Sequence, residues 1–332
     1  MSRLYRDLAG PCLAPGGSVL CVGAFDGVHL GHRALLTRVS ERAHELGSTS
    51  AAISFEPVPR AWFARNKPLP RLTGVRERIG LLADIGIERL LLLRFDATLA
   101  AMSAETFVER VIVGRTRARE IWVGRDFRFG HARRGDVALL RELGGQGGFR
   151  VEVLPDVRVE GARVSSSVIR AHLAAGEFDA AARLLGRRFA IGGHVARGSR
   201  LGRRLGYPTA NIPLGRRVAP VAGIFAVRVH GIGDAPRPGV ASLGVRPTIA
   251  PEATGSDTTP YAGPMLEAHL FDFDGDLYGR RIEVEFVAKL RDEEKFADLP
   301  VLVRQMDRDA LAARRLLGVK TSGTADNRRL AQ

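Results

Sequence analysis

Val22-Gly23-Ala24-Phe25-Asp26-Gly27-Val28-His29-Leu30-Gly31-His32 ends a short apolar run and opens an amphipathic one. Leu20, Val22 and Phe25 read as a buried strand with Asp26 at its end. Leu35, Leu36, Val39, Ala43 and Leu46 then recur near helical spacing, and Gly47 is a natural stop. The stretch is therefore a strand, a glycine-rich turn and a helix start. A helix start presents free N–H groups and a partial positive charge, which attract phosphate. Two imidazoles on such a turn can donate hydrogen bonds to phosphate oxygens. Glycines 23, 27 and 31 allow tight turning and close backbone approach. The plain alternative is a turn that happens to carry two histidines. Ligands of open α/β sheets sit at the carboxyl ends of strands, where this motif falls, so nucleotide binding is the first expectation.

Outward from the motif, residues 18 to 186 alternate strand-like and helix-like segments. Such alternation predicts a parallel sheet covered by helices on both faces. The pattern changes near Gly186. Phe189–Val195, Ile224–Val229, Val240–Leu243, Leu266–Phe271 and Ile282–Val287 are short, apolar and separated by Gly and Pro clusters. They predict a small antiparallel barrel or sandwich. A helix follows from Leu299 to Leu317, and the polar tail beyond it is expected to be disordered. The expected division is 1–186, 187–318 and a tail 319–332.

The chain has 332 residues, enough for two domains, and 50 Lys+Arg against 36 Asp+Glu give a net charge of +14. Most of the basic residues are arginines, which fork onto phosphate. No arginine run resembles a nucleic-acid tail. Cys12 and Cys21 form no metal-spaced pair and imply no disulfide framework. No apolar run reaches membrane-spanning length and no signal pattern opens the chain, so the expectation is a cytoplasmic protein without a membrane.

A second motif, Arg163-Val164-Ser165-Ser166-Ser167-Val168-Ile169-Arg170, puts serines at a helix start and an arginine one turn further. Paired with Gly-x-Phe-Asp-Gly-x-His-x-Gly-His, it resembles the nucleotidyltransferase superfamily. The match is to the adenylyltransferase half of bifunctional riboflavin kinase/FAD synthetases. Val123-Gly124-Arg125-Asp126-Phe127-Arg128-Phe129-Gly130 is similar to the same family. In the β-rich half, Leu201 to Asn211 with its Pro-Thr-Ala-Asn core resembles the flavokinase motif. Leu266 to Asp272 resembles the segment bearing that enzyme's catalytic glutamate. Gly244–Thr248, Asp276–Gly279 and Lys289–Phe296 also fit.

The resemblance implies a Rossmann-like α/β nucleotidyltransferase domain followed by an antiparallel β-barrel riboflavin kinase domain with a C-terminal helix. It implies ATP as co-substrate, Mg²⁺ as cofactor, and riboflavin, FMN and FAD as substrates and products. Gly23, Phe25, His29, Gly31 and His32 would bind the adenylyltransferase ATP, the histidines also stabilising the transition state. Ser166, Ser167, Arg170 and Arg163 would grip the departing phosphates. Asp126 and Phe129 match the flavin side, although Phe129 reads equally as core. In the kinase half, Glu267 would accept the hydroxyl proton. Gly202, Pro208 and Thr209 would contact ATP, Thr209 and Asn211 would offer oxygens to Mg²⁺, and Arg291 would border the flavin. Without the resemblance, Glu267 reads as an exposed strand residue and Thr209 with Asn211 as a turn.

Departures from the family pattern concentrate in the first half. Val58 is apolar where a polar residue is usual, Arg125 replaces an acidic neighbour of Asp126, and Ser167 replaces threonine. Ala250–Pro264 reads as a longer surface insertion. Partners are expected to be small molecules and not nucleic acid, with the chain a monomer or weak homo-oligomer. A rival enzyme reading, an aminoacyl-tRNA synthetase relative, lacks a Lys-Met-Ser-Lys-Ser-like loop. A basic RNA-binding protein fits the charge but not the paired motifs.

Overall fold

The computed structural model describes residues 2–64, 68–198, 201–244 and 263–320. Val245–Thr248, most of the expected loop at Ala250–Pro264 and the tail from 321 lie outside the described residues. The chain forms two compact units. The first comprises Met1–Leu69, Thr73–Val168 and Leu184–Gly186; the second comprises Pro70–Leu72, Ile169–Arg183 and Arg187–Gln332. This differs from a single cut at 186, because Ile169–Arg183 belongs with the second unit. The reason is aromatic: Phe178 stacks on Phe286 at 6.0 Å and meets Phe225 edge-on at 5.9 Å.

In the first unit, β1 (Arg3–Tyr5), β2 (Ser18–Val22), β3 (Thr49–Glu56), β4 (Arg89–Arg94), β5 (Ala118–Gly124) and β6 (Arg150–Leu154) form a parallel sheet. Its order is β1-β4-β3-β2-β5-β6. Every residue of β2 is buried, which is why this strand reads as a continuous apolar run. Leu20 and Val22 face one core with Ile53, Leu91 and Ile121, while Val19 and Cys21 face the other with Leu36, Val39 and Leu82. The chain runs from β2 through β3 to β4 on one side, then returns to place β5 on the other. The crevice between β2 and β5 is thus the point where strand order reverses, the usual ligand position in open α/β sheets. A short hairpin, β7 (Arg158–Val159) and β8 (Ala162–Arg163), follows β6.

In the second unit, β9 (Ala190–His194), β10 (Ala210–Pro213), β11 (Gly223–His230), β12 (Arg237–Gly244), β13 (Met265–Leu270) and β14 (Arg281–Arg291) form an antiparallel sheet ordered β10-β13-β12-β11-β14-β9. Ala196 N–H donates to Asn211 O at 2.8 Å, bridging the outer edges into a nearly closed barrel. The helix Leu299–Leu317 lays Ala310, Ala313 and Leu317 against Ala226 and Phe271. Arg314 anchors it through a forked pair with Asp272 at 2.9 and 3.0 Å.

One buried cation organises the first unit. Arg78, on the helix Val75–Asp84, is 1% exposed. Its guanidinium donates to Ala24 O at 2.8 Å, Phe55 O at 3.1 Å and Glu56 Oε2 at 2.7 Å. These acceptors lie just past β2 and at the end of β3, so Arg78 holds the base of the glycine-rich turn. Arg78→Met keeps the bulk but strands a carboxylate and two carbonyls. It is expected to destabilise the unit by about 3 kcal/mol, read as a lower thermal midpoint. A loss under about 1 kcal/mol would show that water replaces these bonds.

Candidate active sites

The turn after β2 is tightly wound. Phe25, Gly27 and Val28 have φ of 48°, 92° and 41°. For Val28, a β-branched residue, this conformation is strained. Thr73 holds the turn: its N–H and hydroxyl donate to Asp26 Oδ1 at 3.1 and 3.3 Å, and its Oγ1 accepts from Gly27 N–H at 3.0 Å. Gly23 needs its missing side chain, because a Cβ there would lie 2.9 Å from the Phe25 ring.

The helix Leu30–Glu45 begins at this turn with His29 as N-cap. His29 Nδ1 accepts from His32 N–H at 3.3 Å, so in neutral His29 the proton sits on Nε2. The two imidazoles stack 3.7 Å apart, and the Phe25 ring meets His32 edge-on at 5.4 Å. Burial first, and His29 second, push the His32 pKa well below its usual value, so His32 is neutral at pH 7. Gly31 fits between the His29 ring and the Val164 carbonyl, at 3.3 and 3.7 Å from a Cβ placed there.

The serine motif meets the same turn. Ser166 Oγ donates to Asp26 O at 2.9 Å, and Ser165 Oγ caps the helix Ser166–Ala174 by accepting from Val168 N–H at 3.3 Å. The sequence-predicted ATP residues Gly23, Phe25, His29, Gly31, His32 and Ser166 are therefore brought together. Ser167 is reached by a residue the motifs did not single out: Arg60 Nη1 donates to its Oγ at 3.1 Å. Arg163 forms ion pairs with Asp126 at 2.6 Å and Asp156 at 3.2 Å. The pair with Asp126 joins a residue expected on the nucleotide to one expected on the flavin. Arg170 Nε donates to Pro70 O at 2.6 Å, both in the second unit. Phe129 is 8% exposed and packs among Phe107 and Phe127. Phe127 stacks on it from the less buried side, 5.4 Å away.

In the second unit, register assembles the site. Asn211 on β10 faces Glu267 on β13, and Glu267 faces Ser242 on β12. Directly opposed residues share a face, so these three form one row, on the side away from buried Leu266 and Ala268. Ser242 in turn faces Ile224, which faces Arg291 at the end of β14. Arg291 itself is clamped to Asp309 by hydrogen bonds of 3.0, 3.1 and 2.7 Å. A cleft of about 480 Å³ is lined by Gly198, Arg203, Pro208, Thr209 and Asn211 on one side and by residues 273–278 on the other. Gly202 is required beside it, because a Cβ would run into the Tyr207 carbonyl. The Tyr207 N–H returns to Gly202 O at 2.7 Å.

The Glu267 side chain reaches solvent, yet protein crowds its carboxyl. Loss of hydration first, and the Glu293 carboxylate second, raise its pKa above the ordinary carboxylate range. Glu293 lies against Gly244, where any Cβ would displace it. Ser242 and Glu293 are neighbours of Glu267 that sequence spacing did not reveal: register pairs Ser242 with Glu267, and Glu293 comes in from the segment just past β14. Among the described residues no group of three or more His, Cys, Asp or Glu could hold a metal ion. Thr209 and Asn211 supply hard oxygens at the cleft, a set that suits a Mg²⁺ ion retaining water and phosphate ligands.

Comparison with known proteins matches both units. The family model of FAD synthetase covers residues 13–168, and that of riboflavin kinase covers residues 185–317. The bifunctional riboflavin kinase/FMN adenylyltransferase of Escherichia coli K12 is 43% identical over 96% of this chain and 98% of its own length. That of Pseudomonas fluorescens is 44% identical over 90% and 93%. A crystal structure of a protein from Streptococcus pneumoniae, titled macrolide-efflux protein, superposes with a TM-score of 0.71 at 28% identity, covering 94% of this chain and 98% of that one. Among the described residues no helix is long and apolar enough to cross a membrane. With both halves matched in order and relatives alike along nearly the whole chain, this protein belongs to the bifunctional riboflavin kinase/FMN adenylyltransferase family.

Proposed function

We propose that the barrel unit phosphorylates riboflavin to FMN and the α/β unit adenylylates FMN to FAD, each at its own ATP site. The observation that carries this is the pairing of a switch-point turn bearing stacked His29 and His32 with a separate row of Asn211, Glu267 and Ser242 beside a polar cleft.

In the barrel unit, the riboflavin 5′-hydroxyl attacks the γ-phosphorus of ATP, the bond to the β,γ-bridging oxygen breaks, and ADP leaves. Glu267 accepts the hydroxyl proton, and its raised pKa suits a general base better than an ordinary carboxylate would. Thr209 Oγ1 and Asn211 Oδ1 would hold Mg²⁺, which when bound offsets phosphate charge. Arg203 is the cleft's cation toward phosphate, and Arg291, steadied by Asp309, borders the flavin.

In the α/β unit, an FMN phosphate oxygen attacks the α-phosphorus of the second ATP and pyrophosphate leaves. His29 and His32 donate to the phosphates from a helix start, where backbone N–H groups add to the field. Ser166 and Ser167 receive the leaving group, with Arg163 as a further cation. Asp126 and the aromatic edge at Phe127 and Phe129 line the flavin side.

Riboflavin, FMN and ATP are the partners in this reading, in a reducing cytoplasm, without nucleic acid or membrane, the chain a monomer or weak homo-oligomer. Purified protein given riboflavin, Mg²⁺ and ATP should yield FMN, then FAD with pyrophosphate, on chromatography. Absence of any flavin nucleotide would sink the proposal.

A further inference from the structure

Several cations around the α/β site are already committed. Arg78 is buried and committed to Glu56 and two carbonyls. Arg163 is neutralised by Asp126 and Asp156. His32 is neutral at pH 7. Arg60 is different. It lies on the helix Pro59–Phe63, its guanidinium is exposed, and among the described residues its hydrogen bond goes to a neutral hydroxyl, Ser167 Oγ at 3.1 Å. No ion pair to Arg60 is formed among the described residues. Ser167 sits in the first turn of the helix Ser166–Ala174, whose next serine-side partner, Ser166, is tied to the turn that carries His29 and His32.

The same short segment carries the apolar departure at Val58. That side chain is 2% exposed and makes no capping hydrogen bond, so it offers nothing to a ligand. Two residues on, Arg60 supplies a forked cation where position 58 supplies none. A guanidinium held by one hydroxyl retains further N–H donors for a second acceptor.

We propose that Arg60 is a phosphate-binding residue of the adenylyl-transfer site, gripping with Ser167 the polyphosphate that leaves as pyrophosphate. This rests on the adenylyltransferase reading of the unit. Free pyrophosphate keeps the β- and γ-phosphate oxygens that Arg60 would grip in ATP, so the contact persists in the product. Arg60 therefore raises affinity for ATP and also strengthens product inhibition.

The test uses full-length protein, FMN and Mg-ATP, with inorganic pyrophosphate as probe. Arg60→Ala should raise the KM for ATP in FAD formation by about tenfold and weaken pyrophosphate inhibition to a similar degree, with FMN formation unchanged. Arg60→Lys keeps the charge without the fork and should recover part of both effects. If Arg60→Ala abolishes FAD formation outright, the lysine variant decides. Partial recovery with weakened pyrophosphate inhibition supports the assignment, and wild-type values for both constants overturn it. Arg60→Ala with wild-type constants also overturns it. Wild-type protein that makes no FAD from FMN and ATP would refute the underlying reading instead, which separates the two failures.

Discussion

Glu267→Gln should lower FMN formation about a thousandfold while leaving FAD formation from supplied FMN unchanged in the same preparation. A positioned general base contributes on the order of 10² to 10⁴ in rate. Glutamine preserves shape and strand pairing but cannot accept the proton. The register argues that little else changes: Glu267 is flanked by Asn211 and Ser242, and its side chain lies off the buried face of β13. The loss should therefore fall on kcat, with the KM for riboflavin nearly constant. The pH profile adds a second readout. Hydration loss, then Glu293, raise the Glu267 pKa. The basic form is present above that pKa and lost as pH falls through it, so the acid limb of the kinase rate lies above the ordinary carboxylate range. Arg291 attracts charge back toward Glu293, whose own carboxyl is raised first by burial. A loss under tenfold, or an equal loss of both activities, would remove Glu267 from the role of base.

What the sequence made legible was local. The alternation of strand and helix, the buried run of β2 and the helix start at His29 are encoded within a few residues, and they place a site at a sheet's carboxyl edge. The strand β10 was not visible: Thr209 and Asn211 after Pro208 read as a turn, although Asn211 pairs with Glu267. Ser242 meets Glu267 through pairing of β12 with β13, and Glu293 approaches from the segment after β14; no spacing rule reports either. Nothing local in the sequence marks Arg78 as buried; Glu56 and the strand-end carbonyls draw it fully inside. Phe129 was compatible with flavin stacking or core. Its ring packs on Phe107, and the more open face at that edge belongs to Phe127. Asp126 and Arg163, read for different ligands, compensate each other across 2.6 Å. Both are largely exposed, so the pair adds little stability and can open toward substrates.

Replacing His29 and His32 together by alanine should reduce FAD formation by about 10⁴-fold and spare FMN formation. Removing a single preorganised donor from a charge-stabilising site costs on the order of 10² to 10³. In the proposed site the two stacked rings serve one phosphate group, so their losses should combine without simple multiplication. His29 also caps its helix through Nδ1, and loss of a cap alone costs about 1 kcal/mol. His29→Asn separates these roles. Asparagine is a good N-cap, so the helix and the thermal midpoint should be retained, yet the Nε2 donor is gone and FAD formation should still fall about a hundredfold. Full activity in His29→Asn would mean that His29 serves only the fold. His32 gives an independent check through pH. Burial and the adjacent His29 hold its pKa well below 6.5, so the ring remains neutral as pH falls through the usual histidine range. The FAD-forming rate should therefore show no step near 6.5 from His32. A step there that vanishes in His32→Gln would mean the ring works as an imidazolium, and the charge on the transferring phosphate would then be met by a cation instead of a neutral donor.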